Sequence, residues 1–334
     1  MNTIISRGDL RSAAESIISL WNDCLGDSFP LDDRLFLQLA LTGEKDEKAL
    51  FLSRREEGEI VSGAVLAKMA KKGDPSSARL VGYLSFLLVA PHEQGKGLGG
   101  RLLGEAERWC REKGAVAIHL GSDYGHFFPG VPLYDSPASE SALAFFSKRK
   151  YVSETVEMDL ISDLSSNSAF NPSAEDEAKL KAASVRFALF TPSRRAAVSD
   201  FLAHSFPGRW EREISEAFSA GLRDEDLALL IRKADEAVIG FARLCCAASP
   251  LLSPGLYWRA LLGPNAAALG PIGIDPAYRG AGLGSSLLRM SLERLKARGA
   301  RNTIIDWTDL DRFYAKAGFV PWKRYLGMAR TLEA

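Results

Sequence analysis

The chain has 334 residues, of which 46% are apolar and 25% charged, and its 42 basic side chains equal its 42 acidic ones. This composition is typical of a globular protein with room for two domains. Binders of nucleic acid or anionic membranes usually carry a basic excess, so the neutral balance argues against both partners. We find no apolar run of the roughly 18 residues that a membrane span needs, and no signal-peptide pattern, and therefore expect a cytoplasmic protein.

The four cysteines are Cys24, Cys110, Cys245 and Cys246. Their spacing fits no zinc site, and an adjacent pair is a poor disulfide candidate. We therefore expect four reduced thiols and no bound metal.

The first half begins with a strand-like stretch, NTII, from residue 2. Apolar periodicity then predicts helices around residues 9–24 and 32–40, and strands around residues 49–54 and 59–69. This order, with strands grouped before a central helix, indicates a mixed α/β fold with a partly antiparallel sheet flanked by helices.

An apolar run, YLSFLLV from Tyr83, leads into a glycine-rich stretch, APHEQGKGLGGRLL from Ala90. A helical stretch continues to about Lys113 and ends at Gly114, where a left-handed cap is expected. A strand-like run, AVAIHL, follows, and a short helix and a terminal strand are predicted to complete the half.

The second half repeats this order. Strand-like residues resume at Val185, helices are predicted around residues 192–220, and strands around residues 226–233 and 236–246. A second glycine-rich stretch, DPAYRGAGLGSSLL, begins at Asp275 and again leads into a helix and a strand-like run.

The two glycine-rich stretches align with a constant offset of 185 positions, as between Pro91 and Pro276. A period this long predicts two related domains rather than a solenoid. We place the domains at residues 1–161 and 185–334. Residues 162–184, rich in Ser, Asn and charge, are predicted to be the linker.

A strand that ends in a glycine-rich loop and enters a helix forms an anion site. The first N–H groups of the helix have no intrahelical partner, and the helix dipole adds partial positive charge. Glycine lets the backbone approach a phosphate because it has no Cβ. Close packing of strand on helix is the alternative interpretation, and two copies at matching places favour a polyphosphate ligand.

The first stretch also fits a dinucleotide-binding pattern, since Gly95, Gly97 and Gly100 match G-x-G-x-x-G and Asp123 follows 23 residues later. We reject that interpretation for three reasons. Ser285 replaces the third glycine in the second copy, the loop follows several strands, and the turn is too long. A Walker A sequence is also absent.

The shared pattern, [Q/R]-x-x-G-x-G after a strand, resembles the GNAT superfamily of acetyl-CoA-dependent N-acetyltransferases. The resemblance implies acetyl-CoA as co-substrate and a backbone N–H at Val89 or Ile274 that faces the acyl oxygen. It assigns the pyrophosphate loop to two sets of residues: Gln94, Gly95, Lys96, Gly97, Leu98 and Gly99, and Arg279, Gly280, Ala281, Gly282, Leu283 and Gly284.

A second motif supports the resemblance. RFYAKAGFVPW places Tyr314 four residues before Gly318-Phe319, the usual arrangement near the leaving thiolate in that family. The counterpart in the first half, AFFSKRKYV, has Phe146 in place of the tyrosine and Lys150 in place of the glycine.

These differences make the second domain the better candidate for catalysis. Tyr314 is the predicted general acid, and Asp306, at the end of NTIIDW, is predicted to orient or deprotonate the amine. The alternative for Tyr314 is a half-buried tyrosine that packs a helix on the sheet. For Asp306 the alternative is a helix N-cap or a turn residue.

The first half also carries an insertion. Gly97 and Phe146 are 49 positions apart, against 32 for Gly282 and Tyr314, and the extra residues fall within residues 121–141. Loops of this length are often functional. Either the insertion is a lid that packs the two domains, or it contributes substrate contacts from three candidates: Tyr124, His126 and Tyr134.

We therefore expect an acetyl-CoA-dependent N-acetyltransferase that acts directly on the primary amine of a small molecule, such as an amino sugar. One alternative is a non-catalytic acyl-CoA-binding or regulatory protein, and another is catalysis in the first domain with its insertion. Nicotinamide-dependent chemistry and another transfer reaction, such as aminoacyl transfer, are the remaining alternatives.

Overall fold

The computed structural model describes residues 3–41, 47–55, 61–72, 78–133 and 137–332. The chain divides into two compact units. The first unit comprises Met1–Glu157 with Lys323–Ala334, and the second comprises Met158–Trp322. Each unit has a mixed, partly antiparallel sheet flanked by helices, which confirms the predicted fold class and its duplication.

The first unit starts with an antiparallel meander of four strands and continues with a parallel pair. Its strands are β1 (Thr3–Gly8), β2 (Lys48–Arg55), β3 (Val61–Lys72), β4 (Arg79–Val89), β5 (Ala117–Leu120), β6 (Val131–Leu133) and the start of β7 (Val152–Asp163). Its helices are α1 (Ala14–Leu25), α2 (Asp33–Leu41), α3 (Leu98–Glu112) and α4 (Pro137–Ser147).

The second unit repeats the meander and the parallel pair. Its strands are the end of β7, β8 (Val185–Leu189), β9 (Leu227–Arg232), β10 (Val238–Cys246), β11 (Ala266–Ile274) and β12 (Asn302–Thr308). Its helices are α5 (Ala174–Ala182), α6 (Arg195–Ser205), α7 (Arg209–Ser219), α8 (Leu283–Ala297) and α9 (Asp311–Ala315).

The last strand, β13 (Val320–Thr331), belongs to the first unit from Lys323 onward, where it pairs antiparallel with β5 and β6. Residues 162–184, which we propose as the segment that joins the two sequence repeats, include the end of β7 and the whole of α5.

The parallel pairs show how the fold makes a cleft. β4 pairs with β5 only as far as Leu84 and Leu120, and β4 then continues to Val89. β11 pairs with β12 only as far as Ala268 and Ile304, and then continues to Ile274. In both units the two strands therefore part, and the free edge of the longer strand exposes backbone N–H and C=O groups.

Helices α3 and α8 cover the sheets with leucines at the same relative positions. Leu98 and Leu102 are buried in the first unit, and Leu283 and Leu287 are buried in the second, with the offset of 185 preserved. Each leucine buried in this way contributes about 2 kcal/mol to folding. This packing holds the start of each helix, and the loop before it, against the end of the exposed strand.

Candidate active site

The glycines of both loops adopt a backbone conformation that other residues avoid. The φ angles are +76° at Gly95, +82° at Gly97, +84° at Gly280 and +78° at Gly282. Only glycine takes these angles without steric cost. A Cβ added at Gly95, Gly97 or Gly280 would meet no atom within 4 Å, so three of the four loop glycines border open space.

The helices begin with N–H groups that have no partner within the helix. The first intrahelical bonds run from Arg101 N–H to Gly97 O and from Ser286 N–H to Gly282 O, both at 3.2 Å. Neither helix start has a side chain as a cap. The N–H groups of residues 98–100 and 283–285 are therefore suited to bind an anion such as a diphosphate.

The first residue of each loop pattern bonds back to the exposed strand. Gln94 Nε2 donates to Val89 O at 3.1 Å, and Arg279 Nε donates to Ile274 O at 3.2 Å. Both loops are therefore held at the end of the exposed strand by the same type of hydrogen bond.

The strand ends also present N–H groups to the cleft. Ala90 N–H bonds to β3, and Asp275 N–H bonds to β10. Bonding alternates along an antiparallel pair, so the N–H groups of Val89 and Ile274 face away from those strands. Their role as donors to an acyl oxygen stays a prediction.

The first unit has a cavity of about 470 Å³ at its loop. Its volume lies in the range of roughly 300–1,000 Å³ that small-molecule sites occupy. Val89, Gln94, Gly95, Gly97 and Gly99 all line it, and residues of β4, α4 and the insertion complete the wall.

The other predicted loop residues take different positions. The Lys96 side chain is 62% exposed and lies 3.5 Å from Glu93, and Ala281 is exposed. Leu98 and Leu283 point into the core, so these two residues can contact a ligand only through the backbone.

The two halves place different residues beside the loop. A Cβ added at Gly99 would lie 3.4 Å from the Phe145 ring, and one added at Gly284 would lie 4.0 Å from the Phe313 ring. Phe146 and Tyr314 each follow directly, so they occupy equivalent positions. The first unit therefore has a ring without a hydroxyl at the place where the second unit has a proton donor.

The insertion occupies the end of the first cleft. Phe127 and Phe128 pack against Trp21, each at 5.2 Å between ring centroids. Gly121 is 185 positions before Asp306, and a Cβ added there would lie 2.3 Å from Phe128 O. No side chain can therefore occupy, in the first unit, the place that Asp306 holds in the second.

A buried ion pair anchors this insertion. Lys68 Nζ on β3 donates to Asp123 Oδ2 at 2.5 Å, and Ser85 Oγ donates to the same oxygen at 3.0 Å. His126 is buried and Tyr124 is half-buried, whereas Tyr134 lies outside the described residues. A substrate contact by any of these three residues stays a prediction.

In the second unit, Asp306 ends the buried part of β12. Its Oδ1 accepts a hydrogen bond from Gly255 N–H at 3.2 Å, and its Oδ2 lies 3.8 Å from Arg209 Nη2. Thr308 Oγ1, and not Asp306, accepts from Leu310 N–H in the turn before α9. Burial raises the pKa of Asp306 to about 6, with a further increase from Glu213 and an opposing effect from Arg209.

Tyr314 is buried in the apolar core of the second unit. Its ring centroid is 4.9 Å from that of Phe313 and 6.1 Å from that of Phe319. Burial, and then the charge of Asp306, raise the pKa of the Tyr314 hydroxyl. The hydroxyl therefore keeps its proton at neutral pH, as a general acid must before it acts.

A family model described as "Acetyltransferase (GNAT) family" matches residues 14–135 and 195–319 of this chain. The chain belongs to the GNAT acetyltransferase family. The resemblance of the two loops is thereby confirmed, and the chain carries two GNAT regions in tandem. Among the described residues we find no helix long and apolar enough to cross a membrane.

Solved structures and one curated relative resemble this GNAT protein. A glucosamine N-acetyltransferase region of a fungal multi-domain GH3 beta-N-acetylglucosaminidase is 26% identical with a TM-score of 0.85, over 98% of this chain and 38% of that chain. A tandem GNAT protein from the clavulanic acid biosynthesis pathway has 15% identity and a TM-score of 0.70, over 100% and 99% of the two chains. Mycothiol acetyltransferase of Corynebacterium glutamicum (strain R) is 36% identical over 69 residues, which cover 20% of this chain and 24% of that protein.

Three residues near the second GNAT site were not predicted from the sequence. Arg209 and Glu213 on α7 form an ion pair at 2.6 Å beside Asp306, and Lys179 on α5 lies against the second loop. The spacing of Arg209 and Glu213 is typical of an exposed helical pair, so no local signal distinguishes them.

Proposed function

We propose that this protein is an acetyl-CoA-dependent N-acetyltransferase that acts on the primary amine of a small molecule, with transfer in the second unit. The observation that carries the proposal is that the second unit has both a buried carboxyl and a tyrosine hydroxyl. Asp306 lies where β12 parts from β11, and Tyr314 follows Phe313, which packs near Gly284. In the first unit the equivalent positions are Gly121 and Phe146, which offer neither a base nor an acid.

The residues around the second loop fit the diphosphate of acetyl-CoA. The N–H groups at the start of α8 have no intrahelical partner, and the side of Gly280 is open. A Cβ added at Gly282 would lie 3.3 Å from Lys179 Nζ, an ammonium group that also pairs with Glu175 at 2.7 Å, so this group lies close to the proposed phosphate position. Helix dipole and lysine therefore favour an anion together.

The chain's own groups supply the proton transfers. Acetyl-CoA, when bound, brings an activated acetyl thioester. Asp306 takes a proton from the ammonium group of the acceptor so that the nitrogen can attack the acetyl carbon. Tyr314 gives its proton to the sulfur as the carbon–sulfur bond breaks, and the Ile274 N–H is the proposed donor to the acyl oxygen.

The similar proteins guide the choice of acceptor. The fungal region that resembles 98% of this chain is a glucosamine N-acetyltransferase, and it is only 38% of its own chain. The cluster of Asp306, Glu213 and Arg209 is charged, as a polar amine requires. We propose an amino sugar as acceptor, with glucosamine as the first compound to test.

We propose in addition that the first unit binds acyl-CoA without transferring its acyl group. The cavity of about 470 Å³ at the first loop supports binding. Phe128 lines this cavity, and its backbone oxygen lies where a side chain at residue 121 would need to be, which supports the absence of transfer.

The test is a transfer assay with acetyl-CoA and glucosamine that measures release of the CoA thiol. Tyr314→Phe removes one hydroxyl from the proposed site, and we expect kcat to fall about 100-fold or more, the usual contribution of a general acid. Phe146→Tyr adds one hydroxyl at the equivalent place in the first unit and should leave the rate unchanged. Transfer that survives Tyr314→Phe would contradict catalysis in the second unit.

A further inference from the structure

Two carboxylates share one guanidinium at the end of the second cleft. Arg209 Nε donates to Glu213 Oε1 at 2.6 Å, while Arg209 Nη2 lies 3.8 Å from Asp306 Oδ2. The guanidinium carbon lies 3.9 Å from the centre of the Trp307 ring, which fixes its plane. With both carboxylates ionised, this acidic cluster of three side chains has one negative charge in excess.

One oxygen of the cluster is unused. Glu213 Oε2 is buried and has no hydrogen-bond partner among the described residues. The Glu213 side chain as a whole is only 12% exposed. A buried carboxylate oxygen without a donor destabilises the fold, so this position calls for a donor from outside the chain.

The next turn of the same helix provides a comparison. Arg212 and Glu216 form a second pair with the same spacing, at 3.3 Å, but their side chains are 40% and 35% exposed. Water can reach Glu216, whereas Glu213 faces the cleft side of α7 near Asp306. Only the first pair is therefore placed to contact a substrate.

The acidic cluster lies where the two parallel strands of the second unit part. Asp306 Oδ1 is 3.8 Å from the position that a Cβ of Gly270 would take, at the point where β11 parts from β12. From this point β11 continues to Ile274 and the loop of residues 279–284, where the proposed function places the thioester. Phe313, the residue before Tyr314, lies 4.0 Å from the position that a Cβ of Gly284 would take, so α9 packs near the same loop.

We propose that Glu213 is a substrate-binding residue whose free oxygen, together with Asp306, binds the ammonium group of the acceptor. This inference rests on the proposed function and adds the chemical class of the acceptor. A cationic amine matches the excess negative charge, whereas a carboxylate beside the amine, as in an α-amino acid, would be repelled. Amines on uncharged frameworks, such as amino sugars, meet both conditions.

The experiment compares Glu213→Gln with Glu216→Gln, which removes the same charge one turn away. For Glu213→Gln we expect the KM for glucosamine to rise about tenfold or more, as for loss of a hydrogen bond between charged groups. The KM for acetyl-CoA should stay unchanged in both variants, and Glu216→Gln should match the wild type throughout. Glu213→Asp, which keeps the charge, should restore part of the affinity.

Glucose serves as the neutral competitor. Its inhibition constant should be the same in the wild type and in Glu213→Gln, because glucose has no ammonium group that could contact Glu213. An equal loss of glucose and glucosamine binding, or an unchanged KM for glucosamine, would overturn the proposed role of Glu213.

Calorimetry with glucosamine and CoA separates this inference from the proposed function. If Tyr314→Phe abolishes transfer but Glu213→Gln binds glucosamine normally, only the role of Glu213 is wrong. If the wild type binds glucosamine through Glu213 but transfers no acetyl group, the ammonium site stands and the proposed function is wrong.

Discussion

Burial raises the pKa of two residues in the second unit, with different consequences for their chemistry. It raises the pKa of Asp306 to about 6, which makes the carboxylate a stronger base that is still largely ionised at pH 7. It also raises the pKa of Tyr314, so the hydroxyl remains protonated. Burial thus favours the proposed roles of Asp306 as acceptor and of Tyr314 as donor of protons, because a shared fold can adjust acid and base groups separately.

This environment predicts a pH dependence. Asp306 must be ionised to act as a base, so kcat/KM for glucosamine should fall as the pH drops through about 6, the raised pKa of this carboxyl. The charged groups that act on the pKa of Asp306 are Arg209 and Glu213 on α7. In addition to burial, the charge of Asp306 in turn raises the pKa of Tyr257, before β11, and of Tyr314 on α9.

Glu213→Gln should move the midpoint of this pH profile to lower pH, because Glu213 contributes to the raised pKa of Asp306. Steady-state rates between pH 5 and 8 would measure the shift, with Glu216→Gln as control. A profile that stays flat down to pH 5 would argue against Asp306 as the base.

At the scale of elements, one strand–loop–helix unit is used twice with different neighbours. Arg149 Nη2 of the first unit lies 3.0 Å from the position of a Cβ on Gly100, and Lys179 Nζ of the second lies 3.3 Å from that on Gly282. These two cations come from unrelated positions in the sequence repeat. Each loop therefore has its own cation beside the same backbone anion site.

The loop glycines give a prediction with a control in the same element. Gly97→Ala places a side chain at a φ of +82° and should destabilise the first unit by about 1–2 kcal/mol. Gly104→Ala, within α3 and with no atom within 4 Å of the new Cβ, should stabilise it by about 0.5–1 kcal/mol.

Chemical unfolding and acetyl-CoA titration would measure both effects. We expect only Gly97→Ala to weaken binding at the first loop, because Gly104 is distant from the helix start. Equal effects of the two substitutions on binding would mean that this loop does not contact the ligand.

At the scale of the whole molecule, the compact units do not follow the order of the chain. The first unit needs residues Lys323–Ala334, whose strand pairs with β5 through Ala329 and His119. β13 has a neighbouring strand at each of its two edges. Removing such a strand is costly, because both neighbours lose their hydrogen bonds.

A chain that ends at Trp322 should therefore lose the fold of the first unit. We expect lower strand content by circular dichroism, rapid proteolysis within residues 1–157, and loss of acetyl-CoA binding at the first loop. A shorter deletion, of residues 333–334 alone, is the control. Unchanged binding in the longer deletion would show that the first unit does not depend on this strand.

Several features of the site were predictable because their cause is local. The four positive φ angles require glycine at fixed spacing, and the offset of 185 positions between the two loops can be read from the sequence. The correspondence of Phe146 with Tyr314 follows from matching AFFSKRKYV with RFYAKAGFVPW, at an offset of 168 (314 − 146) because the insertion intervenes. Backbone geometry and short-range spacing are properties that a sequence expresses directly.

The sequence by itself determined the duplicated α/β fold, the two loops, the family and the candidates Tyr314 and Asp306. Only the tertiary structure decided that Phe127 and Phe128 pack against Trp21 and that Glu213 shares Arg209 with Asp306, 93 positions later in the chain. The pairs Arg209–Glu213 and Arg212–Glu216 have the same spacing, so local pattern cannot separate them. They differ in burial, and burial depends on which distant segments pack against each face of the helix.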